Sequence, residues 1–195
     1  MPIDEVFGDP EIDVESYISR HAVVVGKVVI EKYVLVAPGV RLRADEGSPF
    51  RICKGVNIQD DVVFHGLLDQ FIEADGHQYS IYIGSHCSIA HQTLIHGPTY
   101  IGKKTFIGFK GTVHNSIIGR NCYVGFHALV KGVKIGDNRY VPDGAIVNAQ
   151  TIADSLPLVT PELKEFNKEV VDYNKKLVQM YKERRLQKEA KKQKA

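Results

Sequence analysis

The chain has 195 residues, 44% hydrophobic and 25% charged, with a formal net charge of +2. That composition suits one globular domain with its own core and excludes a low-complexity or disordered chain. The opening MPIDEVFGDPEID has neither a basic nor an apolar leader region, and no apolar run approaches spanning length, so neither a secretory signal nor a membrane anchor is expected.

In chain order, aliphatic residues recur about every six positions. The series begins loosely at Val25, Ile30, Val36 and Leu42, breaks at RADEGSPFR (43–51), and returns at Ile52, Ile58 and Phe64. It breaks again at LLDQFIEADGHQYS (67–80) and becomes regular at Ile83, Ile89, Ile95, Ile101, Ile107 and Val113. After two one-residue slips it continues through Ile118, Val124 and Val130, then Ile135, Val141 and Val147. Glycine often follows the aliphatic residue, and a small residue often lies four after it, as at Cys87, Thr93, Thr99, Thr105 and Cys122. A short fixed period means stacked units that bury their faces against one another. The pattern resembles the hexapeptide repeat of left-handed parallel β-helix proteins, with one strand and one turn per hexad and three hexads per triangular coil. Residues 1–156 are assigned to this mainly β domain.

In that frame Cys87 and Cys122 occupy the small corner position and are structural. Cys53 is less easily placed. Three distant cysteines without a CxxC argue against a disulfide framework or a cysteine zinc site and fit a reducing cytoplasm. The two interruptions are where function is expected, since loops on a rigid scaffold commonly carry it.

Beyond the repeat, Thr160 followed by Pro161 reads as an N-cap and first helical residue. Leu163, Phe166, Val170, Leu177 and Tyr181 have helical spacing and predict an apolar stripe packed along the β-helix. Asn174 falls within that stripe and needs a polar partner. Residues 157–195 form this helix and a basic tail, in the same structural unit. Residues 175–195 carry nine Lys/Arg against Glu183 and Glu189, a balance of +7 that leaves −5 for the rest. Without interleaved aromatics the tail reads as a solvated, frayed helix end, not a nucleic-acid surface.

His91 and His96 lie five apart, a spacing that suits neither one helix face nor one strand face. In the hexad register His65 and His96 each follow an inward residue, whereas His91 falls one step later, across a corner. One chain therefore cannot bring His91 and His96 to a single point, but prisms packed side by side can bring His91 of one to His96 of the next.

The stretches RADEG (43–47), NIQDDVVFHG (57–66), SIAHQTLIHGP (88–98) and YIGKKTFIGF (100–109) closely resemble gamma-class carbonic anhydrases, including carboxysome-associated members, from about Val25 to Leu156. The resemblance implies a homotrimer with one divalent metal per subunit, zinc or iron(II), held between subunits by His65 and His96 of one chain and His91 of the next. Three neutral imidazoles with an open position form a catalytic zinc pattern. The family activity is reversible hydration of carbon dioxide to bicarbonate by a metal-bound hydroxide. By the same resemblance Glu46 lies beside the metal-bound water, and Gln59 and Asn174 act in catalysis and substrate binding. Arg43 and Asp45 correspond to an ion pair between subunits, and Asn57 and Asp60 flank the site. His114 is read as interface packing or support for the site, not as a ligand.

One position departs from the family. Three after the first metal histidine, where an archaeal relative uses a glutamate for proton transfer, stands Leu68, with Asp69 or Glu73 as possible substitutes. The resulting alternatives are a trimeric scaffold of low or no activity, whose docking element is the basic tail, and a hexapeptide acyltransferase. No nucleic-acid or membrane partner is expected.

Overall fold

The computed structural model describes residues 8–192, so the start of the opening segment and the last three residues of the basic tail lie outside the described residues. Three sheets of seven parallel strands form the faces of a triangular left-handed β-helix. Each coil contributes one short strand to each face. Successive coils stack in register, so Ile58, Ile89, Ile107, Val124 and Val141 form one inward column. These side chains are fully buried, each contributing roughly 1.5–3 kcal/mol of hydrophobic stabilisation. The expected register slips in one place: Val24, not Val25, pairs with Leu42 and packs on the core, while Val25 pairs with Arg43.

The corners explain the small residues. Cys87 Sγ donates to Gly102 O at 3.1 Å, where Thr93 and Thr105 donate to Gly108 O at 3.0 Å and Gly119 O at 2.9 Å. Cys122 Sγ makes the same bond to Gly136 O at 3.1 Å. Thiol and hydroxyl are interchangeable here because both are compact donors facing the next coil. Burial pushes the Cys87 thiol up to about 12 and the Cys122 thiol up to about 11, so both stay protonated. A second corner needs a left-handed residue in each coil: Gly55, His86, Lys104, Asn121 and Asn138 have φ between 53 and 69°.

The second interruption folds as an antiparallel hairpin, Ile72–Ala74 with His77–Tyr79. It packs Ile72 and Ala74 onto Cys53, Tyr79 and Tyr82, and Tyr82 donates to Asp75 Oδ2 at 2.7 Å. Cys53 is thus a packing residue beneath the hairpin.

A helix that the hexad pattern did not reveal, Gln150–Ser155, closes the last coil, with Ala153 completing the core. Gln150 pairs with both backbone groups of Lys134, accepting from its N at 3.0 Å and donating to its O at 2.8 Å. The side chain thereby occupies an otherwise open sheet edge.

The C-terminal helix, Pro161–Lys192, starts at the expected cap, with Leu163 N donating to Thr160 Oγ1 at 3.4 Å. Its buried line is Asn167, Val171 and Val178, not the expected Leu163, Phe166, Val170, Leu177 and Tyr181. The helix is rolled because Asn167 Nδ2 reaches two corner carbonyls, His86 O at 3.4 Å and Lys104 O at 3.1 Å. The expected stripe lies along one flank and leaves Phe166 and Tyr181 partly exposed. The helix stays continuous through Lys192, and Lys182 and Arg185 donate to Val14 O and Ile18 O in the first coil, both at 2.6 Å. From Glu183 to Lys192 every described residue is exposed. Among the described residues no helix is long and apolar enough to cross a membrane.

Candidate metal centre

On one face the strands Val63–His65 and Leu94–His96 are neighbours, with Phe64 opposite Ile95 inside and His65 opposite His96 outside. Strand alternation forces this: with the aliphatic residue turned inward, the one after it must face out. His65 Nδ1 lies 3.3 Å from His96 Nε2. His96 Nδ1 lies 3.1 Å from Gly97 O, an acceptor only, so that nitrogen is the donor and Nε2 carries the lone pair toward His65. Two nitrogens bound tetrahedrally to zinc at 2.0–2.1 Å stand about 3.3 Å apart. The spacing of the pair matches two positions on such an ion, which would take the place of the proton that His65 Nδ1 donates to His96 Nε2.

The first interruption brings carboxylates to the same place. His65 Nε2 lies 3.5 Å from Glu46 Oε2 and 3.7 Å from Asp45 Oδ1. Arg43, paired with His65 across the strands, donates to Asp45 Oδ2 at 2.8 and 3.1 Å. The ion pair expected between subunits thus closes within one chain. Asp45 Oδ1 is buried without a hydrogen-bond donor.

Glycines permit this convergence. Gly66 and Gly97 follow the two histidines, and a Cβ on either would collide with Ser80 Oγ. A Cβ on Gly66 would also strike Gly47, so its absence lets the Asp45–Gly47 turn close over His65. Ser80 and Gly47 escaped the sequence reading; the signal was the HG pair that ends both strands.

His91 lies elsewhere, past the corner that follows the strand Ser88–Ile89. Its Nδ1 is 3.0 Å from Asp60 Oδ2, its ring lies tilted against Phe109 with centroids 5.4 Å apart, and half of the side chain is exposed. Gln59 Nε2 donates to Asn57 Oδ1 at 3.0 Å and Asn57 Nδ2 to Ser88 Oγ at 2.8 Å, a buried amide relay. Gln59, Asp60, His91 and Asn174 line a groove of about 510 Å³ between this face and the C-terminal helix. Asn174 is half-buried, not part of the buried line, and its Nδ2 donates to Val170 O at 2.8 Å within the helix.

The sequence-predicted residues therefore separate into two groups: Arg43, Asp45, Glu46, His65 and His96 on one side, and Asn57, Gln59, Asp60, His91 and Asn174 on the other. Among the described residues of one chain, no three His, Cys, Asp or Glu side chains are grouped to hold a metal. His114 stands next to His96 in the ladder, with ring centroids 5.2 Å apart. Burial, then His96 and Lys131, hold its imidazole below the ordinary histidine range. His21, His77 and His127 lie outside both groups.

No family model matches the chain. A carboxysome assembly protein of Nostoc is 41% identical over 177 residues, covering 90% of this chain but 32% of that protein. The chain thus spans about a third of the length of that relative. Among solved structures, an acetyltransferase-like protein of Bacillus cereus superposes with a TM-score of 0.73 at 20% identity, over 90% of this chain and 92% of its own. That likeness shows the fold alone. A carbonic anhydrase of Methanosarcina thermophila is 40% identical over 186 residues, covering 89% of this chain and 75% of that protein. With that much of an anhydrase matched on a hexapeptide prism, the chain belongs to the gamma-class carbonic anhydrase family.

Proposed function

We propose that the protein catalyses reversible hydration of carbon dioxide to bicarbonate, at one zinc or iron(II) site per subunit shared across the interfaces of a homotrimer. The observation that carries this reading is the His65–His96 nitrogen pair at 3.3 Å, with Glu46 and Asp45 beside it. A bound divalent cation supplies Lewis-acid activation of water for addition to carbon dioxide.

The chain's own residues supply the rest. His65 and His96 offer two of the three imidazoles, and the Gly97 carbonyl holds His96 in the tautomer that presents Nε2. His91 of a neighbouring chain completes the set, carrying Asp60 on its far nitrogen. Gln59, fixed by Asn57, and Asn174 arrive with His91 and offer amide groups to orient carbon dioxide and bicarbonate. Glu46, whose Oε2 lies 3.5 Å from His65 Nε2, is assigned the role of taking a proton from the reacting water and passing it to buffer.

The test is stopped-flow hydration of carbon dioxide on anaerobically purified protein, with metal and subunit mass measured on the same sample. Activity at about one metal per subunit in a trimer supports the reading, from the cyclic geometry of such assemblies. A fully metallated trimer without activity sinks it and favours a scaffold. The observation behind that second reading is Leu68, 62% exposed, at the position where the family resemblance implies a proton-transfer glutamate.

A further inference from the structure

The two flanks of the C-terminal helix differ. One lines the His91 groove; the other closes a second cavity of about 510 Å³ over the corner formed by His86 and Lys104. We propose that this second cavity binds a phosphorylated small molecule bearing a free hydroxyl group.

Asn167 sits at its base, only 5% exposed. Its amide nitrogen is committed to the carbonyls of His86 and Lys104, which fixes its orientation, because a flipped amide would set oxygen against oxygen. Its Oδ1 is buried and has no partner. A buried acceptor left unpaired is costly, so the cavity calls for a ligand that donates.

The walls call for negative charge. Lys104, Lys164, Lys168 and Lys175 line the cavity against only Glu165 and Asp172. Lys168 lies 2.7 Å from Glu165 and 3.8 Å from Asp172, and Lys175 lies 3.9 Å from Asp172. Lys164 meets only the neutral Asn138, at 3.0 Å, and Lys104 has no carboxylate within ion-pair distance among the described residues. The excess is felt at His86, whose imidazole is held below the ordinary histidine range by burial first and then by Lys175, Lys54 and Lys104. A bare oxyanion would leave most of the volume empty, whereas small-molecule sites commonly span about 300–1,000 Å³. A phosphate ester meets the ammonium groups as point charges, and its hydroxyl donates to Asn167 Oδ1.

The experiment is calorimetric titration of the 195-residue chain at fixed ionic strength with glycerol 3-phosphate, propyl phosphate and inorganic phosphate. Glycerol 3-phosphate is expected to bind about tenfold more tightly than either of the others, the worth of one satisfied buried hydrogen bond. A Lys104→Asn/Lys164→Ala double variant, which keeps a residue tolerant of the left-handed corner, should abolish binding. A Lys188→Ala/Lys191→Ala control, equal in charge but in the solvated tail, should leave it unchanged. Equal affinity for the glycerol and propyl esters overturns the proposal, as does inorganic phosphate binding as tightly as the ester. Loss of binding in the tail control, or no binding of either ester at millimolar concentration, overturns it too.

Discussion

His65 and His96 face each other across neighbouring strands with nitrogens 3.3 Å apart, while His91 lies round a corner of the prism against Asp60. A strand ladder can align two histidines on one face but cannot turn a third from the next face toward them. On the proposed reading, two ligands lie on one surface and the third on another, which a cyclic trimer would unite.

Single replacement His65→Ala, His91→Ala or His96→Ala should each lower metal affinity by more than about 100-fold, beyond the usual cost of losing an outer partner. Metal analysis after gel filtration measures this. Mixing His91→Ala with His96→Ala protein under subunit exchange should restore one complete site in each mixed trimer, about a quarter of all sites in an equal mixture. Proven mixed trimers without restored metal would sink the shared site.

Replacing Arg43 or Asp45 by alanine should weaken trimer and metal together while leaving the coil intact. Arg43 is 48% exposed and Asp45 22% within one chain, where such a pair contributes little to folding, so a large loss of trimer must come from the interface. Analytical ultracentrifugation with metal analysis decides, and a fully metallated trimer of either variant contradicts the interface role.

Leu68→Glu places a carboxylate at an exposed position on the loop that follows His65. If proton transfer limits turnover, hydration at low buffer should rise by about tenfold or more, within the range of a positioned proton-transfer group, and the gain should vanish at high buffer. Glu46→Gln should lower turnover with metal content unchanged.

Cys87 and Cys122 should resist alkylation in the native protein, because burial raises both thiols far above neutral pH. Cys87→Ser should fold nearly normally by donating to Gly102 O, whereas Cys87→Leu should cost about 1–3 kcal/mol through overpacking. Mass spectrometry of labelled protein and urea unfolding test the two statements.

His86 sets an acid limit. Its folded-state pKa lies below the unfolded value, so the unfolded chain binds the proton more readily and stability falls as pH drops through and below the ordinary histidine range. His86→Asn, which tolerates the same left-handed corner, should flatten the change in unfolding midpoint between pH 7 and 5. An unchanged slope would place the acid sensitivity elsewhere.

The sequence by itself determined the prism, because inward aliphatics at a six-residue period can be buried together only by coiling the chain into stacked triangular turns. It also determined that His65 and His96 turn outward, since each follows an inward residue; that they share a face was settled by the pairing of their strands. The cap at Thr160 was legible for a similar reason: its chemistry is local. Only the tertiary structure decided how the C-terminal helix is rolled, because that depended on Asn167 finding the carbonyls of His86 and Lys104, which lie more than sixty residues away. The same holds for Gln150 closing the edge beside Lys134, and for Gly47 and Ser80 admitting the Asp45–Glu46 turn to His65. A periodic pattern records which side chains are buried; which backbone groups remain to be satisfied is known only once distant coils lie side by side.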